Sequence, residues 1–388
     1  IYIILFLAAP AIADFYEKPI LCAALRVLAL RIIIATINSV QQAYVSRNML
    51  FKRFFWSTLF GTLFSGLVGI AMAYQGFGIW ALVAQYLTNT CVDTVVLWFT
   101  VRWRPNFAFS IGRLQVLITY GWKILVSGLL DTGYNQLRSL IIGKMYSSSD
   151  LAQYNKGQQF PQLIVANINT SISGVLFPAI AQCQDDMDRV RDMTRRAIKV
   201  SSFVMWPLMV GLAVVAEPLI SVMLTDKWLP CVPFLYIACF TFGLWPIHTA
   251  NLEAMKAVGR SDLFLKLEII KKIMGLAVLL VSMRYGVMAI AASQILTSII
   301  STFINAFPNQ KLLKYKYTDQ IRDMLPSFLL ALLMGGLIYP VKCFVESKIL
   351  LIGVQVILGA IVYVAGAKLF RNDSFVYLIS IVNNRRTG

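Results

Sequence analysis

Within the apolar stretch from Leu114 to Met145, Ser127, Asp131, Tyr134 and Arg138 follow one another at helical spacing and so share one face of a helix. An ionised side chain near a bilayer centre costs about 2.5–3.5 kcal/mol on insertion scales, so such groups face a bundle interior or a water-filled lumen. Two roles are open to this face. It lines a polar cavity, or Asp131 and Arg138 neutralise each other or tie the helix to a neighbour, because buried charges are paired.

The other charges inside apolar runs are Arg26, Arg31, Asp93 and Lys123, so cations outnumber carboxylates among these groups. A shared low-dielectric cavity of that sign attracts phosphate or an acidic sugar, and the planar arginine fork suits phosphate oxygens. Arg26 lies near a helix end and can snorkel to the interface. Arg31, about 8 Å further along at ~1.5 Å per residue, snorkels less easily. Amides such as Asn135, Gln158, Asn167 and Asn169 either bond sugar hydroxyls or join helices. Asp93 and Asp131 suit proton or cation coupling better than acid–base hydrolysis, because no nucleophile accompanies them.

Metal, cofactor and nucleotide chemistry find no support in the residue pattern. His248 is the sole histidine and reads as a packed imidazole. The six cysteines form no CxxC pair and lie in or beside apolar segments. No Walker loop is present. The chain therefore reads as a non-enzyme with no cofactor and no metal.

The whole sequence must position these charges in a membrane. It has 388 residues, is 58% hydrophobic and has a mean hydropathy of +0.71, against roughly 45–50% apolar content in globular domains. Its net charge of +17 could suit nucleic acid, but the basic residues sit between apolar runs, as in loops kept on one side of a membrane.

Twelve near-membrane-length segments are expected, at about 1–13, 22–45, 54–74, 77–101, 114–143, 158–181, 198–222, 231–252, 263–283, 285–307, 324–344 and 348–370. The tail from Ser374 to Val382 is too short to span. Alternating loops collect most of the lysines and arginines, Lys266, Lys271 and Lys272 among them. The opposite set holds Lys18, Lys144, Lys156, Lys227, Arg284, Lys342 and Lys348. This asymmetry predicts a multi-pass protein with its basic loops and C-terminus in the cytoplasm. Pro161 and Pro178 bracket a polar helix, and Pro207, Pro233, Pro246 and Pro326 are further expected kinks. The opening at Ile1 reads as an interrupted transmembrane helix.

Several runs resemble the Wzx-type polysaccharide flippases, of the colanic-acid-type exporters in the multidrug/oligosaccharidyl-lipid/polysaccharide exporter superfamily. They are AAPAIADFY at Ala8–Tyr16, GFGIWALVAQ at Gly76–Gln85, SGLLDTGYNQLRSLIIG at Ser127–Gly143, YNKGQQFPQL at Tyr154–Leu163, VLFP at Val175–Pro178, EPLISVMLTDKWLPCVP at Glu217–Pro233 and GRSDLFLKLEIIKK at Gly259–Lys272. The resemblance implies an all-α polytopic membrane protein of two pseudo-symmetric lobes around a central cavity. Residues 1–105 would be the remainder of an N-lobe lacking its first helices, 113–315 the C-lobe, and 316–388 two terminal transmembrane helices and a tail.

The implied function is transfer of an undecaprenyl-pyrophosphate-linked oligosaccharide across the bacterial inner membrane by alternating access. Arg31, Lys123 and Arg138 would meet the pyrophosphate or acidic sugars, with Tyr134, Asn135, Gln158 and Asn167 beside them. Asp131 would hold Arg138 or couple to a cation, with Asp93 as a second coupling carboxylate. The implied partners are lipid-linked oligosaccharide, membrane lipids, protons or sodium, and other polysaccharide assembly proteins, with no nucleic acid. Two alternatives stay open: a drug/cation antiporter of the same superfamily, and a polysaccharide polymerase or ligase, for which the large periplasmic loop is missing.

Overall fold

The computed structural model describes residues 1–48, 50–101, 103–104 and 110–384; among these, the side chains of residues 46, 51, 116, 119, 120, 123, 124, 127, 261 and 381–384 lie outside the description. The described residues form an all-α polytopic membrane protein. Its helices are α1 (Tyr2–Phe15), α2 (Ile20–Arg47), α3 (Phe51–Tyr74), α4 (Ile79–Thr100), α5 (Ile111–Met145), α6 (Ser148–Ala181), α7 (Met187–Val214), α8 (Ala216–Leu224), α9 (Val232–Gly243), α10 (Trp245–Ala257), α11 (Ser261–Ser282), α12 (Val287–Leu312), α13 (Tyr317–Ile338), α14 (Lys348–Leu369) and α15 (Asp373–Asn384). Eight stretches of the described residues are long and apolar enough to cross a membrane. Large apolar side chains such as Phe99, Leu163 and Val175 point outward, as a lipid environment permits.

Each expected segment coincides with a helix or a pair of helices. Two are divided. The segment at 198–222 breaks at Val215 between α7 and α8, and the one at 231–252 breaks at Leu244 between α9 and α10. Proline accounts for part of this. Pro233 and Pro246, expected as kinks, sit in the first turns of α9 and α10, where a missing N–H has no intrahelical acceptor to lose. Pro161, Pro178, Pro207 and Pro326 do lie inside helices.

The chain divides into two compact units, Ile1–Leu129 and Leu130–Gly388, with the boundary inside α5. In the first unit, α3 and α4 form a hairpin through a tight turn in which Gly76 and Gly78 take positive φ values of 81° and 54°, a region glycine enters at little cost. α2 packs on α4, and α1 on α2. A polar seam joins them. Asp93 of α4 accepts hydrogen bonds from Asn38 (2.8 Å) and Gln42 (3.4 Å) of α2, and from Ser57 of α3.

In the second unit, α6 packs on α9 and α10, α7 on α13, and α12 on α9, α10 and α11. Ser147 opens α6 with a reciprocal capping box to Asp150. The core centres on Trp206, Ile247 and Ala331, with Trp206 set edge-on to Phe328 at 4.4 Å. Buried amides join three helices: Asn251 donates to Gln320 at 2.7 Å and accepts from Asn309 at 2.6 Å. Asp323 is nearly enclosed, held bidentately by Arg195 at 2.7 and 2.9 Å and by the Tyr315 hydroxyl at 2.8 Å.

Candidate functional site

The second unit holds an open cavity of about 430 Å³, within the usual ligand-pocket range of roughly 300–1,000 Å³. Four helices each give it one face at the i, i+3, i+4, i+7 spacing of a single helical stripe. α5 presents Asp131, Tyr134, Asn135 and Arg138; α11 presents Glu268, Lys271, Lys272 and Gly275. α10 presents Trp245, His248, Thr249 and Leu252, and α12 presents Gln294, Thr297, Ser298 and Ser301, continuing to Asn305. Gln158 of α6 and Thr241 and Phe242 of α9 complete the polar and aromatic lining.

Three cations and two carboxylates line this space. Lys272 Nζ meets Asp131 Oδ1 at 2.8 Å, and Asn135 donates to the other Asp131 oxygen at 3.1 Å. Lys271 pairs with Glu268 three residues earlier on its own helix. Arg138 has no carboxylate partner among the described residues. Its Nη2 donates to the Thr297 hydroxyl at 3.4 Å, and its Nε is buried without a hydrogen-bond partner. A buried donor left unsatisfied costs about 1–3 kcal/mol, more when charged. The site therefore holds an arginine with donor capacity to spare, a standing attraction for an oxyanion.

The Tyr134 side chain bridges α5 to α11. Tyr134 donates to Lys271 O at 3.4 Å and lies so near α11 that a Cβ on Gly275 would fall 2.1 Å from its hydroxyl. Behind the opposite wall, Gln158 donates to Gln294 at 2.9 Å, and Gln294 in turn donates to Tyr154. His248 is bonded through Nε2 to the Thr302 hydroxyl at 3.1 Å and through Nδ1 to the Asn305 amide at 2.9 Å. Among the described residues no cluster of His, Cys, Asp and Glu has metal-binding arrangement.

Of the residues singled out in the sequence, Asp131, Tyr134, Asn135, Arg138 and Gln158 share this cavity. Asp131 is engaged with Lys272 rather than Arg138. Asn167 is not in the lining; it donates at 2.8 Å to Leu163 O in its own helix. Asn169 comes closer, accepting from Thr249 at 3.0 Å. Arg31 and Asp93 belong to the first unit, where Arg31 donates to Thr90 at 2.9 Å and lies 5.4 Å from the Tyr86 ring centre. The side chains of Lys123 and Ser127 lie outside the described residues. Sequence reasoning assigned Lys271 and Lys272 to a loop, yet both sit in mid-helix on the cavity wall. The signal was there: Glu268, Lys271, Lys272 and Gly275 repeat the spacing of the α5 face.

The chain resembles known proteins along its length. A family described as polysaccharide biosynthesis protein matches residues 1–233, and a lipid II flippase MurJ family matches residues 123–358. The teichuronic acid biosynthesis protein TuaB of Bacillus subtilis is 23% identical over 350 residues, covering 89% of this chain and 72% of that protein. The succinoglycan biosynthesis transport protein ExoT of Rhizobium meliloti is 25% identical, covering 66% of this chain and 52% of its own length. The lipopolysaccharide biosynthesis protein WzxC of Escherichia coli is 21% identical, covering 78% and 62%. Among solved structures, the lipid II flippase MurJ in an inward closed conformation superposes with a TM-score of 0.77 at 16% identity, over 96% of this chain and 80% of that one.

Proposed function

The chain belongs to the polysaccharide biosynthesis protein family, and from that membership we propose that it is a flippase, moving undecaprenyl-pyrophosphate-linked oligosaccharide repeat units across the bacterial inner membrane by alternating access. The observation that carries this reading is Arg138. It stands in the wall of the cavity, unpaired by any described carboxylate, with its buried Nε unused. A pyrophosphate offers the acceptors that this guanidinium lacks, and Arg binds such oxygens in a planar, bidentate way.

Lys271 and Lys272 are the accessory cations. The Lys272–Asp131 pair is open to the cavity, so an arriving phosphate competes with Asp131 for Lys272 in a screened setting where the pair is worth little. In the same reading Asp131 is the coupling carboxylate of this unit: a proton or sodium ion that neutralises it frees Lys272 for the phosphate. Asp93, set among Asn38, Gln42 and Ser57, is the corresponding carboxylate of the first unit. The lipid tail stays in the bilayer.

The test is Arg138→Ala in a flippase-deficient strain whose surface glycan the unsubstituted protein restores. Export should fall at least tenfold, about what a charged hydrogen bond worth more than ~1.4 kcal/mol implies, with lipid-linked intermediate accumulating on the cytoplasmic face and membrane abundance unchanged. Full export by the variant would remove Arg138 from the site.

A further inference from the structure

All the Asp, Glu, Lys and Arg side chains of the cavity lining come from α5 and α11, whereas the stripes contributed by α10 and α12 hold only neutral groups. The cavity thus has a charged wall and a neutral wall. The neutral wall retains unfilled hydrogen-bonding capacity. Asn305 is fully buried and its Oδ1 has no partner; Thr241 is 9% exposed and its hydroxyl has none. Both belong to the lining, with Thr249, Gln294 and Ser301 on the same side. The wall also carries an aromatic platform, in which Trp245 is 37% exposed and is braced edge-on by Phe242 at 5.5 Å.

We propose that this neutral wall is a pyranose subsite: Trp245 stacks on the C–H face of one sugar ring, while Asn305 Oδ1, the Thr241 hydroxyl and their neighbours bond the ring's hydroxyl or acetamido groups. The chemistry follows from complementarity. A sugar hydroxyl donates and accepts, which suits an orphaned carbonyl oxygen and an orphaned hydroxyl alike. A pyranose ring has one face of polarised C–H bonds, and the negative face of an indole attracts them. A phosphate needs neither an aromatic face nor neutral amides. The two walls therefore divide the ligand, the phosphates to α5 and α11 and the first sugar to α10 and α12. This subsite rests on the reading of the protein as a carrier of lipid-linked sugars.

The experiment compares two probes bound to the purified full chain in detergent: geranyl pyrophosphate, and the same lipid pyrophosphate bearing one N-acetylglucosamine. The unsubstituted protein should bind the sugar-bearing probe more tightly than the bare one. Trp245→Ala should erase most of that advantage, about three- to tenfold for one lost stacked ring, and leave the bare probe's affinity unchanged. Trp245→Phe should restore part of it. Ser301→Leu, which adds bulk to the neutral wall without touching Trp245, should abolish the advantage too and guards against a folding defect at position 245. Arg138→Ala should weaken both probes together. Equal affinity of the unsubstituted protein for both probes, or equal weakening of both by Trp245→Ala, would overturn the subsite while leaving the flippase reading in place. Failure of the unsubstituted protein to bind either probe would overturn the lipid-linked-sugar reading, and the subsite with it.

Discussion

Two carboxylates of the second unit show how far burial decides the worth of an ion pair. Asp131 meets Lys272 at 2.8 Å, but 59% of its side chain is exposed; Asp323 is 4% exposed, with Arg195, Lys199 and Tyr315 around it. Exposed pairs contribute about 0–1 kcal/mol, so Asp131→Asn should leave thermal unfolding in detergent within about 1 kcal/mol of the unsubstituted protein. Removing one partner of a buried pair costs roughly 3–5 kcal/mol. Asp323→Asn should cost somewhat less, about 2–3 kcal/mol, because half-exposed Arg195 can regain water. Equal losses for the two variants would refute this ordering. Residues of this kind differ in how plainly the sequence displays them. Arg138 stands out because a charge in an apolar run demands a reason. Asn305, Thr241 and Trp245 do not, because amides, hydroxyls and rings also serve as ordinary packing in membrane helices, and only the fold shows which of them lack a partner. Lys271 and Lys272 were masked by a third lysine, Lys266, one turn away near the helix start, which made the group look like a basic loop.

At the scale of the helix, two glycines fix how closely neighbours approach, and they differ in what they touch. A Cβ on Gly157 of α6 would lie 2.7 Å from Cys231 O and 2.9 Å from Leu235 N, both backbone atoms of the chain entering α9. On Gly275 of α11 it would meet the Tyr134 hydroxyl, the far end of a side chain. Overpacking against backbone cannot be relieved by a rotamer change and costs about 1–3 kcal/mol. Gly157→Ala should therefore lower stability by about that amount, while Gly275→Ala should leave stability nearly intact and instead displace Tyr134 into the cavity, impairing export. Export should return when Gly275→Ala is combined with Tyr134→Ala, and a double variant as defective as the single one would refute the displacement. The helices themselves were legible because most of the apolar runs have membrane length. Their breaks at Val215 and Leu244 were not, since Glu217 with Pro218 after the first break and Gly243 with Pro246 around the second interrupt the apolar runs no more than a kink would. At Leu244, Pro246 starts a new helix where the same residue inside a helix would have bent it.

Those breaks bear on how the whole molecule threads the membrane. α8 has nine residues, about 14 Å at 1.5 Å per residue, and cannot cross a core of ~30 Å. α9 and α10 have twelve and thirteen residues, each under 20 Å by the same rise, and join through the single residue Leu244 into one stretch long enough to span. If α1–α7 and α11–α14 each cross once, as the sequence predicts, counting the pair as one crossing keeps the loops after α2, α4, α6, α10, α12 and α14 on a common side. That side still carries the excess of lysine and arginine after Lys271 and Lys272 are reassigned to the cavity wall, and from that bias we predict that it and the C-terminus face the cytoplasm. Counted as two crossings, the pair would invert every later loop and set basic residues against the rule. Cys343, exposed in the turn between α13 and α14, reports the difference, because only the single-crossing count places it outside. A membrane-impermeant maleimide should label the protein in intact spheroplasts, and Cys343→Ser should abolish most of that labelling. Labelling of Cys343 only after permeabilisation would mean that α9 and α10 cross separately, and the cavity they help to line would then lack its α10 wall.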